Sequence, residues 1–262
     1  MRGWWQDLSD LVLPAQCAGC GRSRTSLCAR CSAALRGDVP SRVRPRPEPP
    51  GLPVVHAAAP YRDAARAVLL AHKERGALGL AGPLGVALAG AVREGLPAPG
   101  HGGGTGVVAL VPVPSAPRAV RARGHDPMRR IAYAAAAELR RAGVSVRVLA
   151  VLRQRRAVAD QAGLDARQRL ANVTGALEAV GASVGLLREV GRIVLVDDLM
   201  TTGASLVEAA RAIHVLTRSA AGSGEGGAGR ERSAAEPGMA GPGMVGAAVI
   251  AASPDSFEIN RN

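Results

Sequence analysis

Apolar and polar residues alternate along this chain in blocks whose period switches between two and about 3.6, and the switching predicts the elements. Val54–Ala59 reads as a strand and Arg62–Ala71 as a helix. Leu78–Glu94 reads as a second helix with a break near Gly82-Pro83. Gly100–Gly106 is a loop, and Val107–Val113 a β-branched strand that runs into Pro112 and Pro114. Pro127–Arg141 is helical, and Val144–Val151 reads as a strand or an edge strand. Arg153–Asn172 is charged and irregular, the kind of long connection that usually carries function. Arg192–Val196 is apolar after its first residue, as a strand covered on both faces must be. Ala204–Leu216 is the helix after it, and Val245–Ala251 a last strand. Strands alternating with helices predict an α/β fold: a mainly parallel sheet flanked by helices.

Two stretches fall outside that rhythm. Residues 36–53 are rich in Pro and Arg without periodicity and read as a linker. It separates an N-terminal module, residues 1–35, from a main domain spanning 54–262. Ser219–Met244, rich in Gly, Ser, Glu and Pro, reads as a disordered insertion before the last strand. At the N-terminus Trp4, Trp5, Leu8, Leu11 and Val12 recur at helical spacing, which predicts a short amphipathic helix.

Composition changes this picture little. Apolar residues make up 47% of the 262, enough for a core, but aromatics are 2%, so Ala, Val and Leu must build it. The net charge of +12 is almost all arginine, since Lys73 is the only lysine. Such a surface attracts polyanions without saying which. Asp7 and Asp10 interrupt Met1–Pro14, so no secretory signal is expected, and no window reaches the ~20 apolar residues of a membrane span. A cytoplasmic location follows as the expectation, and in that compartment thiols stay reduced.

Cys17-Ala-Gly-Cys20 and Cys28-Ala-Arg-Cys31 form two Cys-x-x-Cys knuckles separated by seven residues. Four thiolates suit tetrahedral Zn2+, and so small a module has too little core to fold without its metal. Buried free cysteines or a redox pair are the alternatives.

The sharpest signal is Arg192-Ile-Val-Leu-Val-Asp-Asp-Leu-Met-Thr-Thr-Gly-Ala-Ser205. An apolar strand runs into Asp197 and Asp198, then into a hydroxyl-rich turn that opens a helix. Backbone N–H groups of Met200–Ser205 and the positive helix end behind them suit a phosphate. Thr201, Thr202 and Ser205 add hydroxyl donors, and Gly203 lets the anion approach the backbone. Carboxylates repel phosphate but accept hydrogen bonds from sugar hydroxyls, so the pattern reads as acids on a ribose and a loop on its 5′-phosphate. An ordinary strand-to-helix turn capped by Asp and Thr is the plainer reading.

This segment resembles the phosphoribosyl pyrophosphate motif of type I phosphoribosyltransferases. With the cysteine module, the whole chain apart from 219–244 resembles the competence-protein-F (ComF) family of phosphoribosyltransferase-like proteins. Trp4–Cys20 is similar to that family's N-terminal segment, and Tyr61-Arg-Asp with Lys73-Glu-Arg-Gly76 to its next one, which usually has an aromatic where Glu74 stands. Val111-Pro-Val-Pro114 with Arg118, Arg121, Arg123 and Gly124 matches a further block. Arg153, Gln161, Gly163, Leu164, Arg169, Asn172 and Gly175 match another. Arg123-Gly-His-Asp-Pro127 departs from the family's usual Arg-Gly-Phe-Asn-Gln, leaving His125 either structural or a functional substitute. Asp126 adds an acid beside an expected anion site.

The resemblance implies a type I phosphoribosyltransferase fold that binds phosphoribosyl pyrophosphate with Mg2+. Asp197 and Asp198 would orient the ribose, and Met200–Ser205 would hold the phosphate. Arg118, Arg121, Arg123, Arg153, Gln161 and Arg169 would lie on the pyrophosphate or lid side, unless the first three form a solvated helix face. It leaves two functions open. One is transfer of the phosphoribosyl group to a nitrogenous acceptor. The other is a non-catalytic role, sensing that ligand or binding single-stranded DNA with the DNA-uptake machinery.

Overall fold

The computed structural model describes residues 16–37, 39–97, 106–158, 165–222 and 244–257. The expected N-terminal helix at 1–13, the loop 100–105 and most of the insertion lie outside them, as do Gln161, Gly163 and Leu164. Eight strands are described: β1 Ser41–Val43, β2 Val55–Pro60, β3 Val108–Pro112, β4 Val146–Val148, β5 Leu152–Gln154, β6 Leu177–Ala179, β7 Arg192–Met200 and β8 Met244–Ala252. The α-helices are α1 Ala29–Arg36, α2 Asp63–Glu74, α3 Ala81–Glu94, α4 Pro117–Arg123, α5 Pro127–Arg141, α6 Ala166–Val173, α7 Val184–Arg188 and α8 Ala204–Gly222. None is long and apolar enough to cross a membrane.

Six strands form one sheet in the order β1-β2-β8-β7-β3-β4, parallel throughout except for β1 on β2. Period-two alternation in β7 sends Val194 and Val196 to one face and Ile193 and Leu195 to the other. Both faces are covered, which is why β7 reads as a continuous apolar run. Leu84 and Leu88 of α3 and Ile131 and Leu139 of α5 fill the first side. Leu206 and Ile213 of α8 fill the second. With almost no aromatics available, small side chains bring the layers close: a Cβ on Gly85 of α3 would meet Ala134 Cβ of α5 at 2.5 Å.

Several expectations need correction. β7 runs on to Met200, so Asp197 and Asp198 lie inside the strand, paired through Asp197 with Val249 of β8, rather than beyond its end. Backbone pairing with the long β8 overrides the polarity of two acids. Arg153–Asn172 is not irregular, because it begins in β5 and closes in α6. α6 is opened by a capping box at Asp165, whose side chain accepts the Gln168 N–H (2.8 Å) while the Gln168 side chain accepts the Asp165 N–H (2.9 Å). Residues 36–53 supply β1, whose three residues are too short to show a period, and Val43 is fully buried. α1 begins between the cysteines. α4 starts with Pro117 at its first position, where a missing N–H costs nothing. The expected break at Gly82-Pro83 falls in the first turn of α3, just after a 3-10 turn at Leu78–Leu80. Finally, α8 continues through residues 219–222.

Topology positions the site. After β3 the chain moves outward to β4, whereas after β7 it moves the opposite way to β8. Loops leaving β3 and β7 therefore diverge, and a crevice opens at the C-terminal ends of the two strands.

Candidate functional site

A cleft of about 570 Å³ occupies that crevice. Asp197, Asp198, Thr201 and Ser205 line one side of it, and Lys73 and Arg169 supply its positive charge. Beside it a small indentation of about 20 Å³ is formed by the turn itself, Asp197 and Leu199–Leu206. Gly203 has a φ of +78°, which favours glycine, and a Cβ there would meet the tip of the Leu52 side chain at 2.8 Å. Val207 N–H donates to the Gly203 carbonyl (3.0 Å), which starts α8 directly behind the turn. The positive end of a long helix thus faces this hollow. Thr201 is exposed and Thr202 and Ser205 are half-buried. Met200 and Ala204 are buried in the core, so only their backbone faces the turn.

Lys73 Nζ lies 2.9 Å from Asp198 Oδ2. The sequence reading attached no chemistry to this lysine. Its signal was available, since a chain that uses arginine for every other cation keeps one lysine. The end of α2 holds it in place: Ala77 N–H donates to the Ala71 carbonyl (3.1 Å), and the buried His72 ring donates from Nδ1 to the Ala77 carbonyl (3.1 Å). The charge of Asp198 raises the Lys73 pKa above its usual range. Burial, and then the charge of Asp198, pushes the Asp197 carboxyl up to about 8. At neutral pH the trio therefore carries one proton on Asp197 beside a Lys73–Asp198 ion pair. Such a site tolerates an incoming anion better than two bare carboxylates would.

The expected arginines do not gather in one place. Arg169, on α6, lines the cleft, and its buried Nε has no hydrogen-bond partner among the described residues. Arg123 is mostly buried and faces Glu74 at 3.9 Å. Arg118 and Arg121 are exposed on α4 and do not line the cleft. Arg153 pairs with Glu178 across the β5–β6 hairpin at 2.8 Å, and its neighbour Gln154 lines the cleft instead. Strand alternation explains the exchange, because adjacent residues point to opposite faces.

Asp126 has a structural task. Its Oδ1 accepts the N–H groups of Met128 (3.0 Å) and Arg129 (3.3 Å), capping α5 ahead of Pro127. Asn and Asp cap equally well, so either residue at this position would preserve the cap. His125 Nδ1 lies 2.9 Å from the Arg123 carbonyl, which closes the turn between α4 and α5.

The four cysteines converge. Their sulfurs all lie within 4.8 Å of one another, with Cys20 and Cys28 3.7 Å apart. Zn–S bonds of about 2.3 Å place sulfurs about 3.8 Å apart in a tetrahedron, so the cluster could hold a metal ion such as zinc. Burial raises the Cys17 thiol, but N–H groups of Cys28, Cys20 and Gly19 outweigh it and bring the group down to about 6. Burial and the other sulfurs push Cys31 up to about 12. Four thiols whose charges oppose one another suit a divalent cation at their centre. A Cβ on Gly19 would meet Cys31 Sγ at 2.7 Å, so the first knuckle requires glycine. Ala64 at the start of α2 packs against this cluster, and Lys73 stands near that helix's other end.

No protein-family model matches this chain, and no curated protein does.

Proposed function

We propose that the cleft binds phosphoribosyl pyrophosphate, and that the protein transfers its phosphoribosyl group to a nitrogenous acceptor in a type I phosphoribosyltransferase fold of the ComF kind. The observation that carries this reading is the continuity of Asp197 and Asp198 with the Thr201–Ser205 turn at a sheet switch point. Acids and anion loop line one cleft. Hydroxyls of the sugar would hydrogen-bond to the Asp198 carboxylate and the Asp197 carboxyl, and the turn would hold the phosphate. Mg2+ enters with the substrate, where it neutralises pyrophosphate charge. Lys73 and Arg169 are the two cations placed to stabilise the departing pyrophosphate. In the transfer, the C1–oxygen bond breaks with its electron pair leaving on pyrophosphate. The lone pair of an acceptor nitrogen forms the new C1–N bond, and that nitrogen's proton passes to the released pyrophosphate. Holding both partners in one cleft supplies much of the rate.

A non-catalytic reading is favoured by a different observation. Arg118, Arg121, Arg129 and Arg130 are exposed together around the α4–α5 corner and outside the cleft, where single-stranded DNA could follow them. The paucity of aromatics leaves little for bases to stack on.

Calorimetric titration of magnesium phosphoribosyl pyrophosphate into the wild type and an Asp197→Asn/Asp198→Asn variant tests the primary reading. Binding by the wild type that the variant loses supports it. Absence of binding by a folded, metal-loaded wild type, together with salt-sensitive DNA binding lost in Arg118→Ala/Arg121→Ala, replaces it with the second.

A further inference from the structure

A second cavity lies at the other end of the sheet, among the strand starts. It measures about 170 Å³ and sits between the end of α3 and the first residues of β7 and β8. Along β7, Arg192 at this cavity stands about 16 Å from Asp197 in the cleft, at a rise of ~3.3 Å per residue. The two hollows share no lining residue among those described.

A strand glycine opens the space. Gly246 pairs with Val194 of β7, in a strand that has β2 on its other side. Glycine inside a sheet usually marks a bulge, a close approach of another backbone, or a ligand. The β7–β8 register runs without a slip from Met244 to Ala252, so there is no bulge. A Cβ on Gly246 would meet nothing within 4 Å, so no backbone crosses it. Its φ lies outside the left-handed region, so the chain path does not call for glycine either.

Val92 and Val194, both buried, give the cavity apolar walls, and two basic side chains interrupt them. Arg192 is half-buried, and its guanidinium has no ion pair or hydrogen bond among the described residues. His56 is also half-buried, and its ring makes no hydrogen bond among them. Gly95 makes room for that ring, since a Cβ there would meet His56 Nδ1 at 2.9 Å. Burial holds the His56 pKa below its usual value, while the charge of Glu94 raises it and that of Arg42 lowers it. At pH 7 the ring is therefore neutral and can donate one N–H. Glu94 is exposed and lines a different hollow, with Arg36 and Arg93, so it does not answer the charge of Arg192.

An unanswered guanidinium beside an imidazole N–H suits an anionic head, and aliphatic walls suit a saturated tail. At about 30 Å³ for each water-sized group, the space holds about six non-hydrogen atoms. We infer that this cavity is a second ligand site, which takes a short-chain aliphatic carboxylate with its head on Arg192 and its tail over Gly246.

The test titrates acetate, butanoate, octanoate, butanamide and butylamine into the metal-loaded full chain, with affinity read by ligand-observed NMR. Butanoate should bind about tenfold more tightly than acetate, the gain from two buried methylenes. Octanoate should gain nothing further, because its tail outgrows the cavity. Butanamide has the same shape without the charge and should bind about tenfold more weakly than butanoate, and butylamine not at all. Gly246→Val fills the space and should abolish butanoate binding, and Arg192→Gln should erase the advantage of butanoate over butanamide. Equal affinity for butanoate and butanamide overturns the inference, as does affinity that keeps rising to octanoate. So does failure of every acid to bind. Butanoate binding that survives unchanged in both variants belongs to the arginine-rich surface and overturns it as well. Should Gly246→Val not fold, Gly246→Ala, whose Cβ has clear space, takes its place and should weaken binding.

Discussion

The cysteine module and the cleft touch the same helix, α2, yet they are built in opposite ways. In the module every candidate ligand comes from Cys17–Cys31, and the geometry is closed by short-range turns. In the cleft, Lys73, Gln154, Arg169 and Asp198 arrive from four separate elements and are brought together by sheet order. The module concentrates its chemistry in one short segment that could hold a metal ion, whereas the cleft spreads its chemistry and depends on the core. Local sites are sensitive to loss of one ligand. Assembled sites are sensitive to the contacts that hold their elements in register.

Metal removal separates the two most strongly. A chelator, or Cys31→Ser, should abolish bound zinc, which atomic emission should otherwise find at one ion per chain. Because Leu35 is buried in the main core and Ala18 and Leu27 pack against it, the thermal midpoint of the whole protein should fall by many degrees. A midpoint indifferent to chelation would show that the cysteines hold the module without metal.

Glu208→Ala attacks the cleft from behind. It leaves the Leu177 N–H and the Arg211 guanidinium short of a partner and should cost about 1–3 kcal/mol in urea denaturation. Zinc content should not change. Equal loss of metal would mean that the two regions are not energetically separable.

A smaller effect is expected at the α5 cap. Asp126→Ala should cost about 1 kcal/mol, and Asp126→Asn close to nothing, by the same measurement. A large loss in Asp126→Asn would mean that the carboxylate charge, and not capping, is what the position requires.

A further probe is pH. Asp197 is held at about 8, above its unfolded value of 3.8, so between those values the folded chain keeps a proton that the unfolded chain releases. Stability contributed by this group therefore declines as pH rises from about 4 to 8 and is flat beyond. Asp197→Asn, which never ionises, should gain on the wild type across that window in denaturation midpoint. A constant difference would place the Asp197 pKa in the ordinary carboxylate range.

Much of the fold was readable because its signals are periodic. The runs at Val107–Val113, Pro127–Arg141 and Arg192–Val196 announced a strand, a helix and a buried strand; the first two stand close to their expected bounds, and the third runs on to Met200. β1, β5 and β6 were not readable, since three residues hold little more than one cycle of a period of two. Of the candidate site, the Asp-Asp and Thr-Thr-Gly run was legible because its parts are adjacent in the chain. Lys73 and Gln154 were not assigned a task, because nothing local to either says that it faces Asp198 or lines the cleft. Arg153 shows the converse: its residue type suits an anion, but strand alternation turns it toward Glu178.

By itself, then, the sequence determined what depends on neighbours along the chain: the parallel α/β layering, the two cysteine knuckles, and the strand-acid-turn-helix segment. Period and spacing are local properties, and these features need nothing more. Only the tertiary structure decided which strand lies beside which, and so where the crevice opens, which arginines reach it, and that Lys73 meets Asp198. Those outcomes depend on how two apolar faces of one sheet are buried, and burial is a property of the packed whole.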